Sequence, residues 1–330
     1  MSTPPLLEVS DLQVTFGRPG RKGAVRALDH VSMRVVPGET MAIVGESGSG
    51  KTTLARTILG LAKATGGTVT YAGRDITRLS FRQRRELASD IQVVFQDPFS
   101  SLNPSRRIGD ILAEPLIVSG QRAGSREAVA DMLGRVGLPA DVVSRHPRQF
   151  SGGQLQRIAI ARALIVKPKL VILDEALSAL DLSAQAQVVN LLLDLRKQMD
   201  LTYLFIAHDL DIVRHFAHHV TVLYHGKVAE VGSAEQVCDQ PRHPYTARLV
   251  TSAPIPDPER QRARRAAALS GRGQAATGYQ NEGCAFAPRC PHATEICRTQ
   301  APEPRTESDG GLVLCHHYPE VAAAVAAPAG

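Results

Sequence analysis

The chain has 330 residues, 43% of them hydrophobic and only 4% aromatic, with a formal net charge of +6. That length and apolar content suffice for one full core with a small appended unit. No apolar run approaches the roughly 18 residues of a membrane span, and Met1 to Pro5 is not a basic segment leading into an apolar one, so a soluble, cytoplasmic chain is expected. The positive charge gathers in short clusters, Arg82 to Arg85 and Arg260 to Arg272, with few rings nearby. A solvated basic surface fits this better than a nucleic-acid groove, where stacking rings interleave with charge.

In chain order, Leu6 to Val36 alternates in short segments that predict an antiparallel β-unit. Met41 to Val44 predicts a buried strand and Gly50 to Leu61 a helix, joined by Gly45-Glu46-Ser47-Gly48-Ser49-Gly50-Lys51-Thr52. Glycines at 45, 48 and 50 permit backbone conformations closed to other residues and let N–H groups turn inward on phosphate oxygens. The helix N-terminus adds its dipole. Lys51 is placed to reach terminal phosphates, the Thr52 hydroxyl to ligate Mg²⁺, and Thr53 follows in the same first turn. ATP and Mg²⁺ are therefore the expected ligands.

Ile91 to Phe95 predicts a further strand, ending at Gln96. Between Asp97 and Phe150 the pattern turns helical, over Ile108 to Ile117 and Arg126 to Val136, with Ser119-Gly120-Gln121 between them and Gly137-Leu138-Pro139 as a stop. Ser151-Gly152-Gly153-Gln154 then opens a second helix whose N-terminus suits an anion. One nucleotide does not need two such cradles in one chain, so head-to-tail pairing of two domains is expected. Leu170 to Glu175 is a continuous apolar run ending in two carboxylates, as a central parallel strand opening on a site would be. Asp174 is expected to hold Mg²⁺ and Glu175 to polarise the attacking water as a general base. A last apolar strand, Tyr203 to Ala207, leads to His208.

Four of the five cysteines cluster as Cys284-x5-Cys290-x6-Cys297-x17-Cys315, in a Pro-rich segment poor in core residues, while Cys238 stands apart as an ordinary small side chain. A reducing compartment disfavours disulfides, so the four read as a staple for a unit with too little apolar surface of its own. Thiolates suit zinc and iron–sulfur clusters alike, and the spacing lacks paired C-x2-C knuckles. His292, His316 and His317 are close in sequence without being required as ligands.

The glycine loop, the run Phe150 to Gln154 and the acidic strand end, in this order, resemble the ATP-binding cassette family. Phe95 to Pro104 and Arg242-His243-Pro244-Tyr245-Thr246 further resemble its oligopeptide and dipeptide importer ATPases, a branch that includes nickel importers. The resemblance runs from about Leu6 to Tyr318. It implies an α/β P-loop fold with a RecA-like core, an antiparallel β-subdomain and an α-helical signature subdomain (97–150) within a domain 6–240, followed by a Cys-containing extension, 241–330. It implies that Gln96 contacts Mg²⁺ and water, that His208 contacts the γ-phosphate, and that Ser178-Ala179-Leu180-Asp181 is a loop crossing a dimer interface. Phe16 is the candidate for stacking on adenine, although the segment Gly17 to Gly23 blurs its spacing. A [4Fe–4S] cluster at Cys284, Cys290, Cys297 and Cys315 is implied too, with zinc as the alternative.

The implied partners are two integral-membrane permease subunits, a second ATPase subunit, identical or related, and an extracytoplasmic substrate-binding protein, with the chain peripheral on the cytoplasmic face of the membrane. No nucleic acid is expected, since there is one cassette and no long heptad tract; a soluble ATPase acting on nucleic acid or the ribosome is the competing class. Within transport, nickel or another small solute competes with peptides. The sequence departs from the family pattern at Ala176-Leu177, where Pro-Thr is usual, and at Leu155, where arginine is common. Neither removes a catalytic group.

Overall fold

This computed structural model describes residues 3–17, 23–121, 124–252 and 282–320. The basic cluster Arg260 to Arg272 lies outside the described residues, as do parts of the extension. In chain order the strands are β1 (Leu7–Phe16), β2 (Val25–Val35), β3 (Thr40–Val44), β4 (Gly66–Tyr71), β5 (Arg74–Asp75), β6 (Ile91–Val94), β7 (Leu170–Asp174), β8 (Thr202–Ile206), β9 (His219–Tyr224), β10 (Lys227–Ser233), β11 (Arg305–Thr306) and β12 (Leu312–Val313). Eight of them form one sheet in the order β11-β12-β10-β9-β3-β8-β7-β6, and the other four form a sheet ordered β2-β1-β4-β5.

The alternation of side chains along a strand explains the layering. In β3, Ala42 and Val44 face one core while Met41 and Ile43 face the other; in β7 the same split separates Val171 and Leu173 from Leu170 and Ile172. Strands buried on both faces read as unbroken apolar runs, which is why these segments stand out in the sequence. The ladders β9-β3-β8-β7-β6 are all parallel. Their carboxyl ends therefore lie on one edge, where Val44, Asp174 and Ile206 deliver the loops that follow. One core takes in the antiparallel sheet and the helix Lys51–Ile58; the other takes in the helices Ile108–Val118, Ser125–Arg135 and Gly152–Leu164. The expected β-subdomain and helical segment are both present; the helix expected over Gly50 to Leu61 runs only from Lys51 to Ile58 and stops three residues early, where Leu59 N donates to Ala55 O and Gly60 N to Thr57 O as the chain turns at Gly60.

The extension does not stand clear of the core. Its short strand β12 pairs antiparallel with β10, through Glu230↔Val313 and Val231↔Leu312, and so lengthens the main sheet. Beneath this junction the Glu230 carboxylate, 1% exposed, accepts the backbone N–H of Arg242 and of His243, each at 2.9 Å. Burial lowers the His243 pKa to about 4, against a backbone hydrogen bond with Leu314 that works the other way.

A histidine held neutral in the fold costs stability in acid. Below its ordinary value of 6.5 the unfolded chain takes up a proton that the folded chain refuses until about pH 4, so stability falls as pH drops through that window. The loss amounts to at most about 3 kcal/mol. Burial raises the Glu230 pKa, an opposing effect that a change at His243 leaves in place because Glu230 meets residue 243 through its backbone N–H. The thermal midpoint of His243→Gln should therefore fall less between pH 6.5 and pH 4 than that of the parent chain. Parallel slopes would reject the neutral buried imidazole.

Candidate functional site

The turn after β3 is shaped by what cannot fit. A Cβ at Gly45 would lie 2.2 Å from the Leu223 carbonyl oxygen, while Gly48, at φ +79°, faces open space. The loop packs its base against β9 and leaves its crown clear. It ends at Gly50, the N-cap of the helix Lys51–Ile58, where no side chain caps the helix and no acidic residue sits in the first turn. Orphan N–H groups and a positive helix end are left for an outside anion. The helix thus meets the requirement for nucleotide phosphates in its own structure.

Lys51 is 5% exposed, and its Nζ donates to the carbonyls of Gly45 at 2.8 Å and Glu46 at 3.0 Å. Burial lowers its pKa, and the charges of Glu175 and Asp174 pull it back up. Asp174 shows the converse: burial and then repulsion from Glu175 raise its carboxyl, while Arg56 and Lys51 lower it. Two carboxylates at close quarters beside a buried ammonium form the kind of site that a divalent cation relieves. Thr52, half-buried in the first helical turn, supplies a neutral oxygen there. These donors are hard oxygens and suit Mg²⁺.

Glu175 adopts φ +49°, left-handed for a residue with a side chain. Its N–H donates to Ile206 O at 3.0 Å and its carbonyl accepts from Ser178 N at 3.1 Å, contacts that hold the strained turn. The side chain borders two clefts. One, of about 450 Å³, is lined by Ala24 to Ala27, Ser47 to Thr53, Glu175 and His225. The other contains His208, Ser178, Gln185 and Asp209. Gln96 sits two residues beyond Val94, which pairs with Leu173, so the ladder sets it beside the strand end that carries Asp174 and Glu175.

The remaining expected residues fall elsewhere. Ser151 caps the helix Gly152–Leu164 in a reciprocal box with Gln154, Gln154 N to Ser151 Oγ at 3.4 Å and Ser151 N to Gln154 Oε1 at 3.0 Å. Ser151 to Gln154 do not line the phosphate-loop cleft. A Cβ at Gly153 would touch the side chain of Ala184 at 3.4 Å, and Asp181 caps that neighbouring helix by accepting from Ala184 N at 2.9 Å. Phe16 is 49% exposed and lies outside the cleft lining. Its cross-strand partner Val25 is the residue that lines the cleft. His225, on the turn after β9, was not anticipated; a lone histidine beside a glycine, far along the chain, carries no signal of that place.

At the four cysteines, Cys284 N donates to Cys297 O at 2.8 Å. Burial pushes the Cys290 thiol up to about 12 and raises those of Cys284 and Cys315, with repulsion among the cysteines adding to each. Among the described residues, however, no group of three or more His, Cys, Asp or Glu side chains is gathered closely enough to hold a metal ion. The expected iron–sulfur or zinc site thus finds no ready ligand set: the four residues share one small unit but stop short of a coordination shell.

Residues 28–178 match the ABC transporter family, and residues 229–297 match the oligopeptide/dipeptide transporter C-terminal region. The chain is 46% identical over 297 residues to the di/tripeptide transport ATP-binding protein of Pseudomonas aeruginosa, covering 89% of this chain and 90% of that one. The chain belongs to the ABC transporter family. An oligopeptide transport ATP-binding protein of Salmonella typhimurium is 45% identical over 307 residues, 90% of this chain and 92% of its own length. Among solved structures, a component of an ABC transporter complex from Clostridium perfringens superposes with a TM-score of 0.63 at 28% identity, over 71% of this chain and 90% of that one. An ATP-binding cassette solved as a dimer after hydrolysis, with ADP and phosphate, does so with a TM-score of 0.62 at 27% identity, over 69% and 98%. Among the described residues no helix is long and apolar enough to cross a membrane.

Proposed function

We propose that this chain is the ATP-hydrolysing subunit of a membrane importer of di- and oligopeptides, peripheral on the cytoplasmic face and bound to two permease subunits supplied by an extracytoplasmic binding protein. The observation that carries this reading is the half-built site: the cleft holds the phosphate loop and Glu175, while the second anion-binding helix end at Ser151 to Gln154 lies outside it. Two ATPase subunits placed head to tail complete both sites. In each, Lys51 and the loop N–H groups hold the phosphates, and Thr52, Asp174 and Gln96 are the residues to hold Mg²⁺, which would supply charge neutralisation at the phosphates. Glu175 accepts the proton of the attacking water, His208 borders the same strand end, and the partner subunit's signature helix covers the open side. Asp181 caps the helix beside the signature run and so lies at that seam. The ATPase domain spans 6–240 and the extension 241–330 in this reading.

Affinity purification from gently solubilised native membranes tests it. Recovery of two multi-span permeases with a peptide-binding protein is the expected result. A nickel-binding partner would redirect the substrate, and ribosomes or nucleic acid without membrane proteins would overturn the transport reading. The finer expectation at Cys284, Cys290, Cys297 and Cys315, a [4Fe–4S] cluster, rests on four soft ligands in one small unit, where the Cys284 N–H donates to the Cys297 carbonyl, and it requires the four side chains to draw together from the arrangement described above. Iron and acid-labile sulfide in anaerobically purified protein decide it, and stoichiometric zinc would replace it.

A further inference from the structure

Glu46 is the second residue of the phosphate loop, yet its polar groups on one side are taken by the extension. Arg289 grips the carboxylate with both nitrogens, Nη1 to Oε2 at 2.7 Å and Nη2 to Oε1 at 2.9 Å. The Glu46 N–H donates to the Tyr245 hydroxyl at 2.8 Å. On its other side the Glu46 carbonyl accepts from Lys51 Nζ at 3.0 Å and from Ser49 N at 3.1 Å. One residue therefore joins the extension to the lysine of the phosphate loop.

The grip has a rigid base. The Arg289 guanidinium lies 5.8 Å from the Tyr224 ring centroid and Nη1 donates to the Tyr224 hydroxyl at 3.3 Å. Tyr224 packs on Tyr245 at 4.4 Å and on Phe286 at 5.3 Å between centroids, and Phe286 packs on Tyr245 at 5.5 Å. Arg289 itself ends the short turn Ala287–Arg289, immediately before Cys290. A bidentate arginine on a carboxylate fixes direction as well as distance, which a lysine at the same place would not.

We propose that the C-terminal extension sets the nucleotide affinity of the phosphate loop, with Arg289 and Tyr245 as positioning residues that hold Glu46 and through it the carbonyl anchoring Lys51. The inference rests on the ATP-hydrolysing reading of that loop. It gives the extension a role at the nucleotide site that is separate from whatever its cysteines bind.

Water reaches the ion pair, whose side chains are 27% and 40% exposed, so the effect is moderate. Steady-state ATPase of the assembled transporter should show Arg289→Ala raising KM for ATP about fivefold, with kcat within about twofold of the parent. Glu46→Ala should do the same, and the double variant should be no worse than either single one, because both remove one interaction. Arg289→Lys should recover part of the affinity, and Tyr245→Phe should raise KM with the ion pair intact. If Arg289→Ala fails to fold, as circular dichroism would reveal, the last two variants carry the test. KM values within twofold of the parent for all variants, or additive effects in the double variant, would overturn the proposal. A parent chain that hydrolyses no ATP would instead bring down the reading on which it rests.

Discussion

Glu175→Gln is expected to lower ATP turnover about a thousandfold while leaving ATP binding intact. The substitution keeps the size of the side chain and both main-chain contacts of residue 175, to Ile206 O at 3.0 Å and from Ser178 N at 3.1 Å. The left-handed turn at φ +49° is therefore supported as before. What changes is a proton acceptor at the border of the phosphate-loop cleft, replaced by an amide that cannot take a proton from water. Removing this charge also relieves Asp174, whose carboxyl is raised by Glu175, and leaves Lys51 with one opposing carboxylate. Phosphate release and equilibrium binding of ATP, measured on the same preparation, check the prediction. Turnover within tenfold of the parent would remove Glu175 from the role of general base.

The parts of this site that a reader of the sequence can find are those where chemistry and local structure coincide. Gly45 to Thr52 announces itself because a phosphate loop needs glycines, a strand before it and a helix after it, all within a dozen residues. Asp174 and Glu175 are legible because β7 is buried on both faces and its apolar run stops abruptly at the carboxylates. Contacts made across long stretches of chain are not legible. Arg289 and Glu46 are separated by 243 positions, and nothing in the local pattern of either residue points to the other. Val25 lines the cleft where Phe16 is the expected aromatic: the two are direct partners across β1 and β2, and the sequence does not tell which of such a pair ends up at the cleft wall. The cysteines illustrate a further limit: spacing shows that four thiols belong to one unit, but distances between side chains decide whether they form a shell.

Lys51→Ala should abolish measurable ATP binding, a loss of at least about a hundredfold, and turnover with it. The Lys51 ammonium donates to two of the loop's own carbonyls, and its burial makes it strong toward a phosphate because little water competes. Its removal leaves Asp174 and Glu175 facing each other with one less neutralising charge, so the Asp174 carboxyl rises further and becomes a poorer Mg²⁺ ligand. Both consequences act against the nucleotide. Thermal unfolding with and without Mg·ATP separates this variant from Glu175→Gln, since a ligand that binds only the folded chain stabilises it by RT times the logarithm of one plus the ratio of ligand concentration to Kd. The midpoint should rise for the parent chain and for Glu175→Gln and stay fixed for Lys51→Ala. A full rise in Lys51→Ala would mean that the N–H groups of the uncapped helix Lys51–Ile58 hold the phosphates without the ammonium. Lys51 would then serve the transition state alone, as a loss of kcat at unchanged ATP affinity would show.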